Sequence, residues 1–450
     1  MYSTLFKKVL YPIYETGIRR RNTLRYLNEL NENQWRSAEE IQARQWSDLK
    51  KLIDHAYTNS AYYQSLFKRL GLHPDQIQSY EDFQALPVCT REEVNQHAQA
   101  MVAENYRDRV AYKSTGGSTG VPLRLAYDRA SYEWRIAATQ RGYQWAKCEA
   151  GQFVLYLWAL DIGKPPLLKR TKTALYHRLF NRVIVNSWDL DAAAMRSCLQ
   201  YINSKKPQGI VAYTSAIYNL AKFIDEKNLQ CDGVPAVLTG AEHLHEHQRE
   251  LIERVFHTKV YNSYGCREFM LIATECEKHE GLHVTADNLL VEILKDGRPA
   301  KPGETGEVVI TDLHNYGMPF IRYKNGDRAI QSGRLCSCGR GLPLIEGIDG
   351  RIADMIIAHD GTEVPGIYFP HLMKEFPQVR KYQVIQKSRQ LLQVKLVLAE
   401  KMPDERLQFC KNQINSVLGK EVKIEFEFVD EIPLTHSGKY RVAISEISAP

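Results

Sequence analysis

The sequence has no long hydrophobic run and no strong excess of charge of either sign. Its longest apolar stretch, residues 153–160, is far shorter than the roughly 18–20 residues that a membrane-spanning helix needs, so we expect no transmembrane segment. Its 59 basic and 53 acidic residues leave a net charge of +6 over 450 residues. That excess is too mild and too dispersed to indicate a nucleic-acid-binding protein. Internal repeats and low-complexity segments are also lacking, which excludes a disordered, collagen-like or coiled-coil chain.

The cysteines and the basic residues bear on location and partners. Nine cysteines, an odd number, occur without a recognisable secretory signal, so we expect a reducing, cytoplasmic compartment with free or metal-bound thiols. The one dense basic cluster is Arg19–Arg21 in the N-terminal arm. A solvated helix face is the preferred interpretation, and contact with anionic lipid or nucleic acid is the alternative. The sequence leaves the oligomeric state open, with a homodimer as one alternative.

Apolar periodicity predicts an α/β fold. Residues 1–70 follow helical spacing and form a predicted N-terminal helical arm. Strand-like runs alternate with helical ones further along, which is typical of α/β domains. The strand-like runs are residues 154–157, 209–213, 236–239 and 259–261, and the helical runs are residues 215–226 and 244–256.

After residue 284 the pattern of the sequence changes from alternating strand-like and helical runs to mainly strand-like runs. A β-rich subdomain is predicted from the runs 289–294, 306–311 and 320–323. A Gly-flanked turn near 349–355 then divides a large N-terminal domain, residues 1–350, from a small α+β C-terminal domain, residues 351–450. Within the small domain we expect strands at 383–386, 392–399 and 422–428 and a helix at 404–418.

The most concentrated glycine and hydroxyl run is a candidate phosphate-binding loop. Glycines allow backbone N–H groups to approach an anion closely, and hydroxyl groups add donors. The run is neither a Walker A motif nor a dinucleotide fingerprint, and a flexible surface turn is an equally balanced interpretation of the loop alone. Its residues are Ser114, Thr115, Gly116, Gly117, Ser118, Thr119 and Gly120.

Six motifs in order make the sequence resemble the adenylate-forming, or acyl-AMP synthetase, superfamily. Within this superfamily the motif residues are most similar to those of the phenylacetate–CoA ligase branch. That branch includes a CapK-like subgroup that acts in capsule, and thus polysaccharide, biosynthesis. The motifs are the loop at 114–122, Thr239–Glu242, Tyr261–Glu268, Tyr323–Asp327, Gly350–Asp354 and Pro433–Arg441.

The resemblance implies a set of nucleotide-binding residues. The loop holds the β- and γ-phosphates, Tyr264 packs on adenine, Asp327 accepts hydrogen bonds from the ribose hydroxyls, and Arg351 supports the ribose or a phosphate. The remaining residues implied at the nucleotide are Gly240, Ala241, Glu242, Asn262, Ser263 and Gly265.

The resemblance also implies the reaction and its catalytic residues. ATP and a small carboxylic acid give an acyl-AMP, with Mg²⁺ held by Glu268 and with Lys439 bridging the carboxylate and the α-phosphate. The C-terminal cap then rotates about Ala353 and Asp354. CoA is the implied acceptor, and an amine, such as an amino sugar, is the alternative that would make the enzyme an amide-forming ligase.

A cysteine and histidine constellation predicts a structural zinc site. Cys276 and His279 form a C-x-x-H pair, and Cys336 and Cys338 form a C-x-C pair. Three sulfurs and one nitrogen are a typical tetrahedral zinc set with no open position for catalysis. His283 is the alternative nitrogen ligand, and reduced thiols beside a surface histidine are the alternative to a metal site.

Overall fold

The computed structural model describes residues 2–114, 123–158, 166–187, 190–349, 356–364, 366, 368–373, 375–432 and 442–447. The helices among them are α1 Tyr2–Leu5, α2 Thr23–Asn33, α3 Ala38–Asn59, α4 Ala61–Leu70, α5 Tyr80–Gln84, α6 Arg91–Met101, α7 Arg129–Trp145, α8 Leu167–Leu179, α9 Ala192–Lys205, α10 Thr214–Glu226, α11 Glu246–Phe256, α12 Tyr368–Met373 and α13 Asp404–Leu418. Within these described ranges, no helix has both the length and the apolar character to cross a membrane.

The strands are shorter and more numerous than the helices. They are β1 Ala111–Ser114, β2 Arg124–Tyr127, β3 Val154–Trp158, β4 Arg182–Asn186, β5 Gly209–Tyr213, β6 Val237–Gly240, β7 Val260–Cys266, β8 Met270–Glu275, β9 Leu282–Val284, β10 Leu289–Lys295, β11 Arg298–Pro299, β12 Thr305–Asp312, β13 Tyr323–Gln331, β14 Leu344–Asp349, β15 Ile356–Ile357, β16 Glu363–Val364, β17 Val379–Ser388, β18 Leu391–Leu398, β19 Lys423–Phe428 and β20 Ala443–Ser445.

The helical arm predicted for the N-terminus is confirmed, although part of it is π-helical, at Phe6–Leu10 and Ile13–Ile18. Helix α3 begins with a capping box, in which the Ser37 hydroxyl accepts from the Glu40 N–H and the Glu40 carboxylate accepts from the Ser37 N–H. Its apolar face, which includes Leu49 and Leu52, is fully buried.

One twelve-stranded sheet organises the large domain, in the order β11-β10-β12-β13-β14-β9-β8-β7-β6-β5-β3-β4. Strands β4, β3, β5, β6 and β7 pair in parallel, whereas β7 pairs with β8 in antiparallel fashion. The antiparallel half contains the predicted β-rich segment. Strand β7 is therefore the joint between an α/β half and an antiparallel half.

The C-terminal segment forms its own four-stranded sheet, in the order β19-β18-β17-β20. Helix α13 buries Cys410, Ile414 and Leu418 in the core of this unit. The α+β character predicted for this part of the chain is thus confirmed. The predicted division at residue 350 falls in residues 350–355, which lie outside the described residues.

One predicted strand is wrong. Residues 320–322 are not part of a strand, and the strand begins only at Tyr323. Arg322 has a φ of +51°, a left-handed conformation that ends an extended run. The turn is held by the buried Arg322 guanidinium, which forms an ion pair with Glu292 at 3.0 Å and donates to the Gln84 carbonyl at 2.6 Å.

Candidate active site

The carboxyl ends of β6 and β7 bring two of the predicted motifs together. Thr239 on β6 pairs with Asn262 on β7, and the Ser263 hydroxyl donates to the Thr239 carbonyl at 2.7 Å. A Cβ atom at Gly240 would lie 2.7 Å from the Ser263 Oγ, so the strands approach too closely for a larger residue. Gly240, Asn262 and Ser263, predicted from separate motifs, therefore lie side by side.

The Glu242 side chain links the end of β6 to helix α10 by hydrogen bonds. Its carboxylate accepts from the Ser215 N–H at 2.7 Å and from the Ser215 hydroxyl at 3.1 Å. Ser215 lies in the first turn of α10, where a helix favours negative charge. Burial raises the pKa of Glu242 to about 7, against the lowering effect of the Ser215 hydrogen bonds. The same clamp holds Ala241, whose φ is +68°.

A hydrogen-bonded group of three side chains connects β7 with β13. The Tyr264 hydroxyl donates to Asp327 Oδ2 at 2.8 Å. Asn325 Nδ2 donates to the Tyr264 oxygen at 2.7 Å and to Asp327 Oδ2 at 2.8 Å. Burial, and then the charge of Asp327, raises the pKa of Tyr264 well above its ordinary value. The phenol is therefore a permanent donor that orients the carboxylate.

Gly265 completes the turn of the chain beyond Tyr264. A Cβ atom at this position would lie 2.3 Å from the Met270 carbonyl oxygen, and the β7–β8 register shifts between Tyr264 and Gly265. A glycine is needed because the two strands meet closely at a bulge.

Glu268 is buried and forms an ion pair with Arg91. The Arg91 guanidinium lies 3.0 Å from Glu268 Oε1, and each side chain is only 7% exposed. Sequence reasoning did not assign a role to Arg91. The Thr90 cap and the following acidic residues predicted only a helix start, which the capping box of α6 confirms. The ion pair itself joins positions 177 residues apart, so no local pattern could indicate it.

The glycine-rich run connects the two strands of a hairpin. Strands β1 and β2 are antiparallel, with Ser114 opposite Arg124. Of the seven predicted loop residues, Ser114 is described, and residues 115–120 lie outside the described part of the chain. Lys113 precedes them, and its ammonium group donates to the Arg267 carbonyl at 3.2 Å. Burial lowers the pKa of Lys113 to about 8. Sequence reasoning missed this lysine beside the site.

Four predicted residues beyond the glycine-rich loop also fall in parts of the chain that the structure does not describe. Arg351, the hinge residues Ala353 and Asp354, and Lys439 all lie outside the described residues. Their roles stay predictions. The described part of the site comprises residues 239–242, the hydrogen-bonded side chains of Tyr264, Asn325 and Asp327, and the residues Glu268 and Ser114.

A second cluster, formed by Cys276, His283, Cys336 and Cys338, has the donor set of a zinc site. Its four ligand atoms lie within 4.8 Å of one another. Cys276 Sγ is 3.6 Å from Cys336 Sγ, and Cys338 Sγ is 3.4 Å from His283 Nε2. Tetrahedral zinc with bonds of about 2.0–2.3 Å places its ligands roughly 3.5–3.8 Å apart. The spacing therefore fits zinc.

The histidine that lies with the three thiols is His283, the alternative from the sequence, whereas His279, the first choice, is not part of the cluster. His283 lies on β9 opposite Leu344, which places its ring beside the Cys336–Cys338 loop. His279 has a φ of +54°, and its ring faces Tyr261 and Glu275 instead. Burial lowers the pKa of His283 to about 4, which keeps the imidazole neutral as a metal ligand requires.

Known proteins match almost the whole length of the chain. The CapK C-terminal domain family matches residues 356–446. Protein CapK of Staphylococcus aureus is 21% identical over 96% of this chain and 94% of its own length. The phenylacetate-coenzyme A ligase of Escherichia coli is 26% identical over 90% of this chain and 95% of that ligase. The chain is thus similar to CapK and to a phenylacetate–CoA ligase over nearly the whole length of each.

Solved structures agree with this relationship at the level of the fold. The structure of 2-hydroxyisobutyryl-CoA ligase with 2-HIB-AMP and CoA in the thioesterification state matches with a TM-score of 0.61 at 20% identity. It covers 92% of this chain and 91% of that chain. An open conformation of the same ligase matches with a TM-score of 0.56 at 20% identity, over 90% of this chain and 92% of that one. The predicted resemblance and the predicted fold class are confirmed.

Proposed function

We propose that this chain is an AMP-forming acid ligase, which activates a small carboxylic acid with ATP and transfers the acyl group to CoA. The proposal rests chiefly on the meeting of Gly240, Ser263, Tyr264 and Asp327 at the carboxyl ends of parallel strands. Open α/β sheets bind their ligands at this edge. The named activities of the relatives in Escherichia coli and of 2-hydroxyisobutyryl-CoA ligase support the same chemistry.

The nucleotide lies along β6, β7 and β13 in this proposal. The Gly240–Glu242 segment, Asn262 and Ser263 line the adenine, and the Tyr264 ring packs against it. Asp327 accepts hydrogen bonds from the ribose hydroxyls, and its orientation by Tyr264 at 2.8 Å supports that role. An acceptor that is already oriented does not have to be reorganised when the nucleotide binds.

In the first step, a carboxylate oxygen of the acid attacks the α-phosphorus of ATP. The new O–P bond forms as the bond to pyrophosphate breaks, and pyrophosphate leaves with the electron pair. The loop at 114–120 holds the outer phosphates, Arg351 supports the ribose or a phosphate, and Lys439 bridges the carboxylate and the α-phosphate. This catalysis consists of positioning and charge stabilisation.

Glu268 is the residue that holds Mg²⁺ in this proposal, because a carboxylate is the hard oxygen donor that this ion prefers. The bound ion supplies charge neutralisation at the phosphates. The Arg91 guanidinium, 3.0 Å from Glu268 Oε1, holds the carboxylate in one orientation. It also compensates the buried charge, which would otherwise be costly.

In the second step, the sulfur of CoA attacks the acyl carbonyl carbon. A C–S bond forms, the bond to the AMP oxygen breaks, and the thiol proton passes to solvent. The cap, residues 351–450, rotates about Ala353 and Asp354 between the steps. An amine acceptor would give an amide instead, and the nature of the product distinguishes the two.

We propose zinc in the second cluster, held by Cys276, His283, Cys336 and Cys338. Its role is structural, since four protein ligands leave no open position. The ion ties the β8–β9 turn to the loop that precedes β14. A cytoplasmic location completes the proposal, because a reducing compartment keeps these thiolates available to a metal.

Acid-dependent exchange of labelled pyrophosphate into ATP tests the first step. Aromatic, fatty and hydroxy acids form the panel, and we expect exchange with at least one of them. Asp327→Asn and Lys439→Ala should abolish exchange, whereas Asp296→Asn, at an exposed turn, should not. Absence of exchange with every acid contradicts the proposal. Mass analysis of the product formed with CoA or with amines then identifies the acceptor.

A further inference from the structure

The N-terminal arm presents an apolar stripe to solvent. Leu5, Val9 and Ile13 are 49%, 42% and 54% exposed, and their spacing of four residues places them along one side of the helical arm. The neighbouring side of the arm carries Phe6 and Tyr11, which are buried against the protein. The arm is therefore packed on one side and apolar on its free side.

Helix α8 also exposes apolar side chains. Leu168 is 83% exposed and Leu175 is 67% exposed, and residues seven apart share a helix face. Of the twelve large hydrophobic residues that are exposed in the described chain, seven lie among residues 2–18 or on α8. Scattered exposed leucines need no explanation, whereas a contiguous group marks an interaction surface.

The arm and α8 are held together firmly. The Tyr2 hydroxyl donates to the Leu179 carbonyl at 2.7 Å. The Phe6 and Tyr11 rings contact the Phe180 ring, with centroids 5.2 Å and 5.6 Å apart. The exposed side chains of residues 2–20 and of α8 are here named the basic face, and the two segments that carry them meet at the C-terminal end of α8.

Charge is concentrated on the basic face. Residues 2–20 contain four basic residues and one acidic residue, and residues 167–179 contain four basic residues and no acidic residue. The acidic residue, Glu15, is buried and forms an ion pair with Arg21 at 3.6 Å. These two segments carry seven excess positive charges against six for the whole chain, so the remaining residues have a net charge of −1. Lys8, Arg170 and Lys172 are exposed among the exposed apolar side chains.

We propose that the basic face docks on the surface of an anionic lipid bilayer. Exposed leucine, valine and isoleucine side chains enter the headgroup boundary, and the lysine and arginine side chains contact the lipid phosphates. Nucleic acid would leave the apolar stripe in water. A second copy of the chain would oppose two faces that are both strongly positive. A bilayer satisfies both properties of the face, and this inference does not depend on the proposed function.

Vesicle sedimentation tests the inference on the full-length chain. We expect binding to vesicles that contain phosphatidylglycerol and phosphatidylcholine, weaker binding as salt is raised, and little binding to phosphatidylcholine alone. The charge variant Lys8→Glu/Arg170→Glu/Lys172→Glu and the apolar variant Leu168→Ser/Leu175→Ser should each weaken binding by about tenfold or more. All five side chains are exposed, so these variants should fold.

Matched substitutions away from the face provide the control. Lys401→Glu/Lys420→Glu and Leu335→Ser change exposed residues elsewhere and should bind vesicles as the parent chain does. Circular dichroism and the thermal midpoint show whether each variant is folded. Equal binding to neutral vesicles, or retention of binding by both face variants, overturns the inference. So does a dimer in sedimentation velocity without vesicles that the Leu168→Ser/Leu175→Ser variant dissolves, since a second copy would then cover the face.

Discussion

Replacement of Tyr264 by phenylalanine removes one oxygen from the centre of the proposed nucleotide site. The hydroxyl makes two hydrogen bonds, to Asp327 Oδ2 at 2.8 Å and from Asn325 Nδ2 at 2.7 Å. The ring, which packs against adenine in the proposed function, remains. We expect Tyr264→Phe to weaken ATP binding without unfolding the protein. The only change is that the Asp327 carboxylate is held less firmly in its orientation.

The magnitude follows from the remaining contacts. A hydrogen bond to a charged group contributes about 1.5–3 kcal/mol. Asn325 Nδ2 still donates to Asp327 Oδ2 at 2.8 Å in the variant, so part of the orientation survives. We therefore expect a loss of about 1–2 kcal/mol in the interaction with ATP. At 1.36 kcal/mol for each factor of ten, this corresponds to a decrease in kcat/KM for ATP of roughly 5- to 30-fold.

Steady-state pyrophosphate exchange at varied ATP, with saturating acid, measures this loss. Because burial and Asp327 hold the pKa of Tyr264 well above its ordinary value, the hydroxyl stays protonated, and the loss should be the same at pH 6 and pH 9. Tyr11→Phe is the matched control, since the buried Tyr11 hydroxyl has no hydrogen-bond partner within the described chain. An unchanged kcat/KM for Tyr264→Phe, or an equal loss for Tyr11→Phe, would refute the reasoning.

Two further predictions concern Glu242 and the metal cluster. Because the pKa of Glu242 is raised to about 7 in the folded chain from an ordinary value of 4.5, its contribution to stability is present below pH 4.5 and is lost as the pH rises through 7. The stability of Glu242→Gln relative to the parent should therefore rise by about 1–3 kcal/mol between pH 5 and pH 8 in urea titrations; a pH-independent difference would contradict this. By elemental analysis, His283→Ala and Cys336→Ser should retain less than about a tenth of an equivalent of zinc, and His279→Ala should retain about one; the reverse result for the two histidines would exclude the cluster.

The sequence predicts those features whose signal is local. The strands predicted between residues 154 and 261 follow from short apolar runs and are reproduced by β3, β5, β6 and β7, whereas β4 was not predicted. The three cysteines of the cluster were identifiable from their spacing, but the histidine was identified only as the alternative. His279 lies at the better sequence spacing, and the β9–β14 pairing instead brings His283 to the thiols. The strand predicted at 320–323 failed for a related reason, since a tertiary ion pair holds Arg322 in a left-handed turn within an apolar run.

The assembly of the site depends on curvature, which no local pattern contains. Strands β7 and β13 are four positions apart in the sheet, with β8, β9 and β14 between them. At a spacing of about 4.8 Å, a flat sheet would separate them by roughly 19 Å. Yet the Tyr264 oxygen and Asn325 Nδ2 are only 2.7 Å apart. Two side chains could not bridge the roughly 19 Å that separate these strands in a flat sheet. The antiparallel half must therefore curl back on itself, and strong twist and bulges such as those beside Gly265 and in β13 provide the means. The motifs supply the functional side chains of the site, and the curvature of the sheet brings those side chains into contact.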